Sequence, residues 1–169
     1  SPLYVAAERG HTKVVRLLLS RSDIDINNTD EYGSTALHVA SHNGQVEVVR
    51  LLLSKSDVDI NNAVIDGATA LHIASNNGHV EVVRLLLSKS DIDINKAEEE
   101  GCTALFMASQ YNHIEVVELL LSRSDIDMTK AMDDGRTALH AASHNDHVDV
   151  VRLLLSKSEI DINKAMKDG

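Results

Sequence analysis

The sequence predicts an all-α fold, a solenoid of stacked helix-turn-helix repeats, and three observations carry that expectation. Gly33, Gly67, Gly101, Gly135 and Gly169 recur 34 residues apart. The phrase Thr35-Ala36-Leu37-His38 returns as Thr69-Ala70-Leu71-His72, Thr103-Ala104-Leu105-Phe106 and Thr137-Ala138-Leu139-His140, and the chain opens in the middle of it, at Ser1-Pro2-Leu3-Tyr4. Of the 169 residues 43% are hydrophobic but only 2% aromatic, so the core must be built from Leu, Val, Ile and Ala. A strict period of this size marks units too small to bury their own apolar faces, which must stack to do so. The units read as 1–32, 33–66, 67–100, 101–134 and 135–168, together one domain over residues 1–169.

Within a unit, Thr35 is placed to cap a first helix whose apolar side is Ala36, Leu37, Val39 and Ala40. Its small residues allow neighbouring helices to approach closely. Gly44 should end it, and the equivalent positions hold Gly10, Gly78, Asn112 and Asp146. All are residues that tolerate the left-handed conformation, as a helix terminus requires. The second helix runs through Val46–Ser54, with Glu47, Arg50 and Ser54 on one solvated stripe and packing on the rest of its circumference. Glu47 and Arg50 can pair across one turn, whereas the fourth unit carries Glu115 and Glu118 there, a like-charge clash. A loop of the form Ser-Asp-Ile-Asp-Ile-Asn then leads to an acidic finger before the next glycine.

Read together, Gly-x-Thr-Ala-Leu-His, Gly-His and Val-Glu-Val-Val-Arg-Leu-Leu-Leu resemble the ankyrin repeat over essentially the whole chain. The usual Thr-Pro-Leu-His keeps its proline only in Ser1-Pro2-Leu3-Tyr4. The family period is about 33 residues, and the extra residue lies in the Ser-Lys-Ser-Asp-Ile-Asp-Ile-Asn loop. The resemblance implies L-shaped units, each a hairpin-like finger at right angles to two antiparallel helices, stacked into a curved ankyrin-repeat solenoid. It also implies that His38, His72 and His140 bond finger backbone. Partners are expected on the concave face and finger tips, making the chain a protein–protein interaction scaffold and not an enzyme. A competing reading is an array that positions substrate for an enzyme domain outside this chain; a third is a mechanical spacer.

Charge narrows the partners. With 26 acidic against 16 basic residues the net charge is -10, which excludes the basic face that nucleic-acid binding needs and favours a protein partner with a basic patch. No apolar run approaches the roughly 18 residues of a membrane span. The single cysteine, Cys102, permits no internal disulfide and suggests a cytoplasmic, reducing setting. The Asn27-Asn28-Thr29 sequon points weakly the other way. Repeat material starts at once after Ser1, so no signal peptide is expected. Val14, Leu17 and Leu18 at one end, and Val151 and Leu154 at the other, are as apolar as their internal equivalents. That pattern suggests an excerpt of a longer array, with uncapped ends prone to weak self-association.

Catalytic and metal chemistry finds no foothold. Equivalent histidines on stacked helices should lie about 8–10 Å apart, too far to share a zinc ion that needs bonds of about 2.0–2.1 Å. Asp57-x-Asp59-x-Asn61 imitates the start of a calcium loop. Asn62 then stands where Gly is needed, and Ala68 where a bidentate Glu is needed. No nucleophile elbow or phosphate-binding glycine loop is present. No cofactor is expected.

The repeats supply their own alignment. Positions constant between units serve stacking, and those that vary are candidates for binding. They fall at the fingers (Tyr32, Ile65, Asp66, Glu99, Glu100, Asp133 and Asp134) and just after the finger glycine (Ser34, Cys102 and Arg136). A third group lies near the end of the first helix: His42, Asn43, Asn76, Asn77, Gln110, Tyr111, His144 and Asn145. The fourth unit diverges most, with Cys102, Phe106, Met107, Tyr111 and Asn112. A binding hot spot is expected there, because aromatics concentrate interface energy.

Overall fold

A computed structural model describes residues 1–157 and 160–167 of the chain. Gly169, the last glycine of the period, and Asp168, the last residue of the fifth unit, lie outside the described residues. Ten α-helices form among those described, in five pairs: α1 (Pro2–Glu8) with α2 (Thr12–Leu18), α3 (Ala36–His42) with α4 (Val46–Leu53), α5 (Ala70–Asn76) with α6 (Val80–Leu87), α7 (Ala104–Gln110) with α8 (Ile114–Leu121), and α9 (Ala138–His144) with α10 (Val148–Leu155). The odd-numbered helices pack on one another as one layer and the even-numbered helices as a second. Isolated antiparallel bridges between Ala63 and Thr69, and between Ala97 and Thr103, close two of the fingers.

The first helices start at threonine for a reciprocal reason. Thr35 Oγ1 accepts from the His38 backbone N–H, and His38 Nδ1 accepts from the Thr35 N–H at 3.1 Å. This is a capping box with histidine in the place usual for Glu or Gln. The helix then ends in a left-handed residue. Asn112 and Asp146 have φ of 61° and 58°, like the glycines they replace. Gly78 meets a second demand, since a Cβ there would lie 2.5 Å from the His113 ring of the next repeat.

Packing follows the repeat. Ala36, Ala40, Ala70, Ala74, Ala104, Ala108, Ala138 and Ala142 are buried between successive first helices. Val48, Val49, Leu52 and Leu53, with their equivalents in α6 and α8, are buried beneath the second layer. Ile26, Ile60, Ile94 and Met128 pin each intervening loop to the same core.

Polar bonds tie neighbouring repeats together in register. Asn27 donates through Nδ2 to the Asp57 carbonyl at 2.7 Å and accepts from the Asp59 N–H at 2.8 Å. Asn61 and Asn95 do the same one repeat further on. Lys96, Lys130 and Lys164 each reach back to a carbonyl of the preceding repeat.

Candidate functional site

The fingers are built from acids that turn inward as well as acids that point out. Asp30 Oδ1 accepts from the N–H groups of Tyr32 and Ser34, at 2.9 and 2.8 Å. Glu98 accepts from Glu100 and Cys102, and Asp66 from Ala68. Asp134 accepts from the Arg136 N–H and pairs with its guanidinium at 2.7 Å, which together hold its carboxyl below the usual range. Successive fingers are joined by single backbone bonds: Ile65 to Tyr32, Glu99 to Asp66, Asp133 to Glu100 and Lys167 to Asp134. The result is a continuous row of tips. Tyr32 and Ile65 stand out from it at 63% and 69% exposure, followed by exposed Asp66, Glu99, Glu100, Asp133 and Asp134.

The ends of the first helices form the second part of the surface. His42, Asn43, Asn77, His144 and Asn145 are exposed there, while Asn76 and Gln110 are half-buried. Asn43, Asn77 and Asn145 each donate their side-chain amide to the carbonyl four residues back, at 2.9, 2.8 and 2.9 Å. Tyr111 occupies the same slot, stands 52% exposed, and places its ring 6.4 Å from that of His113. Ser34, His42 and Asn43 meet Tyr4, Glu8 and His38 in a groove of about 360 Å³. Gln110, Arg136, His144 and Asn145 line a larger cavity of about 650 Å³.

One predicted site residue is corrected. Cys102 is not at the surface: it is 9% exposed, in a cluster with Phe106, Met132 and Ala141. Burial, reinforced by the charge of Glu98, pushes its thiol up to about 12. The finger that covers it belongs to the next repeat, so the variable slot reflects packing under that finger. Phe106 is likewise core, 3% exposed, with the Arg136 guanidinium 5.8 Å over its ring.

Two sets of histidines are structural. His38 Nε2 donates to the Asn62 carbonyl at 3.0 Å, and His72 Nε2 to that of Cys102 at 3.2 Å. Burial lowers the pKa of both rings, favouring the neutral form with its proton on Nε2. A second set went unread in the sequence. His79, His113 and His147 donate through Nε2 to the carbonyls of His42, Asn76 and Gln110, each at 2.9 Å, satisfying the end of the preceding repeat's first helix. Its only signal was a histidine recurring directly after the left-handed residue, as in Gly78-His79, Asn112-His113 and Asp146-His147.

Among the described residues, no group of three or more His, Cys, Asp or Glu is placed to hold a metal ion. The Asp-x-Asp loops use their acceptors internally, as where Asp59 Oδ1 takes the Asn61 N–H. No helix among the described residues is long and apolar enough to cross a membrane.

Stacked helix pairs, a ridge of finger tips and open grooves define a helical repeat scaffold that presents a surface. The family described as "Ankyrin repeats (3 copies)" matches residues 1–64, 54–131 and 101–166. The chain belongs to the ankyrin-repeat family, whose members are generally protein–protein interaction modules. No curated protein matches the sequence.

Proposed function

We propose that the chain is a non-catalytic scaffold that binds another protein across its finger tips and first-helix ends, with Tyr111 at the energetic centre. Its working units are repeats 1–32, 33–66, 67–100, 101–134 and 135–168, since the inter-repeat bonds recur at an offset of 34 residues. The observation that carries the reading is what Tyr111 displaces. Its sister asparagines cap their own helices, a bond worth about 0.5–1.5 kcal/mol. The fourth repeat forgoes that bond and exposes an aromatic side chain instead. Local stability does not reward such a change, whereas a desolvated contact to a partner does.

The tips supply the partner's chemistry. Exposed Glu99, Glu100 and Asp133 favour basic side chains on the partner. Tyr32 and Ile65 offer an apolar footing beside them. An intracellular setting fits a single buried thiol and an Asn27 amide already occupied by hydrogen bonds, which a glycan would displace. The test is proximity labelling or pull-down with this chain as bait, followed by titration of the recovered partner. Tyr111→Ala should weaken binding at least about tenfold with the melting temperature retained. Equal, small effects from Tyr111→Ala and Asn77→Ala would overturn the assignment.

A further inference from the structure

We propose that Ser56 and Ser90 are phosphorylation sites for an acid-directed serine kinase, and that the phosphate on Ser56 seats between Lys55 and Lys89. Both serines lie in the loops that follow α4 and α6, apart from the finger-tip and first-helix positions assigned to partner binding.

Each of these loops carries two serines with different tasks. The first caps its helix: Ser54 Oγ donates to the Leu51 carbonyl and Ser88 Oγ to that of Leu85, both at 2.6 Å. The second, Ser56 or Ser90, is exposed, and its hydroxyl enters no hydrogen bond among the described residues. Stacking does not use it. Carboxylates follow at fixed places, in Ser56-Asp57-Val58-Asp59 and Ser90-Asp91-Ile92-Asp93, all four exposed, with Val58 and Ile92 packed against the core. Asp59 and Asp93 each commit one oxygen to an N–H two residues on and keep the other free. A kinase with a basic substrate groove reads carboxylates one and three residues after the acceptor serine, by charge complementarity.

The same phrase occurs at Ser22 and Ser124, and the structure separates those copies from the other two. Arg21 grips Asp23 through Nε and Nη2, both at 2.9 Å, and Arg123 grips Asp125 at 2.9 and 2.7 Å. Each pair straddles the serine between its members and occupies both oxygens of the first carboxylate. Lys55 and Lys89 stand in the arginine's place, and there Asp57 and Asp91 enter no ion pair among the described residues. The fifth copy, at Ser158, lies outside the described residues.

A groove of about 310 Å³ between the two loops is lined by Lys55, Ser56, Lys89, Ser90 and Asp91. Two half-buried ammonium groups, neither in an ion pair among the described residues, stand there with one carboxylate. A phosphate on Ser56 brings three acceptor oxygens and a charge of about −1.5 to −2 at neutral pH. The lysines of two successive repeats bond it, which ties the second repeat to the third. In the transfer, Ser56 Oγ attacks the γ-phosphorus of Mg-ATP. The Oγ–P bond forms as the bond to the β–γ bridging oxygen breaks, ADP leaves, and the hydroxyl proton passes to the kinase's base.

The test incubates the purified chain with Mg-ATP and an acid-directed serine kinase and follows each serine by mass spectrometry. Ser56 and Ser90 should be modified before Ser22 and Ser124. Exchanging the preceding residue should exchange the behaviour, and each variant carries a residue that a sister repeat already has. Lys55→Arg should slow Ser56 about two- to fivefold, the worth of a surface ion pair, and Arg21→Lys should speed Ser22 by a similar factor. For the seat, Ser22, Ser90, Ser124 and Ser158 are replaced by Ala, so that Ser56 alone of the five is modified. That phosphorylated chain should melt at a higher temperature than its unmodified form, and Lys89→Gln should remove the rise. No incorporation at Ser56, equal rates at all four described serines, or rates unmoved by the Lys–Arg exchanges would overturn the assignment of the sites. A melting temperature that the phosphate does not raise, or a rise that survives Lys89→Gln, would overturn the seat.

Discussion

The second and third repeats anchor the backbone around the next finger by a buried histidine bond, through His38 to Asn62 and His72 to Cys102. The fourth repeat puts Phe106 at the same position and anchors the next finger by packing, with Met132, Cys102 and Ala141 around the ring and Arg136 above it. The helix keeps its start in both cases, because Thr103 still accepts from the Phe106 N–H. Only the reciprocal bond of the capping box is lost. The position therefore has one task, tethering the finger, and two chemistries can perform it. A net hydrogen bond contributes about 0.5–1.5 kcal/mol. Burial of a large apolar side chain contributes about 1.5–3 kcal/mol.

That comparison is broken most severely at Phe106. Phe106→Ala should destabilise the chain by about 3–4 kcal/mol in urea denaturation, the cost of an emptied core site. His72→Ala should cost less, about 1–3 kcal/mol, by leaving the Thr69 N–H and the Cys102 carbonyl without their partner. If His72→Ala proves the more damaging, packing is not the stronger tether.

Acid sharpens the contrast. His38 and His72 have folded pKa values lowered chiefly by burial, so the unfolded chain takes up protons first as pH falls. Their contribution is complete above about 6.5, the ordinary histidine value, and is lost as pH drops from there through the lower folded values. Stability measured at pH 7.5 and 5.5 should fall for the unaltered chain and fall less for His72→Phe, which copies the chemistry of the fourth repeat. An unchanged slope would show that His72 does not titrate on unfolding in this window.

The smallest expected effect concerns the end of α7. Asn112 holds φ of 61° where the first three repeats use Gly10, Gly44 and Gly78. Asn112→Gly should stabilise by about 0.5 kcal/mol by relieving that conformation, visible as a slightly raised thermal midpoint.

What could be read in the sequence was what each repeat demands locally. The period, the threonine caps and the left-handed terminus at Asn112 and Asp146 are requirements of one helix and its turn, restated in each unit. Contacts made in the next repeat were less legible. Cys102 looked like surface because its slot varies, yet Met132, 30 residues on, encloses it. Asn61 and its neighbours resembled a calcium loop, but their amides bind backbone 30 and 32 residues away. The two histidine roles separate for the same reason. The pair Asn112-His113 contains no local sign that its ring reaches a carbonyl 37 residues earlier.

The division between positions that hold the stack and positions that face a partner is tested most directly at Tyr111. Tyr111→Asn restores the cap that Asn43, Asn77 and Asn145 provide. Thermal melting and titration with the captured partner should be measured on the same preparation. The melting temperature should rise, by an amount corresponding to about 0.5–1 kcal/mol, while Kd weakens at least about tenfold. A variant that binds as tightly as the original, or one that loses stability together with affinity, would contradict the account by making Tyr111 a part of the stack.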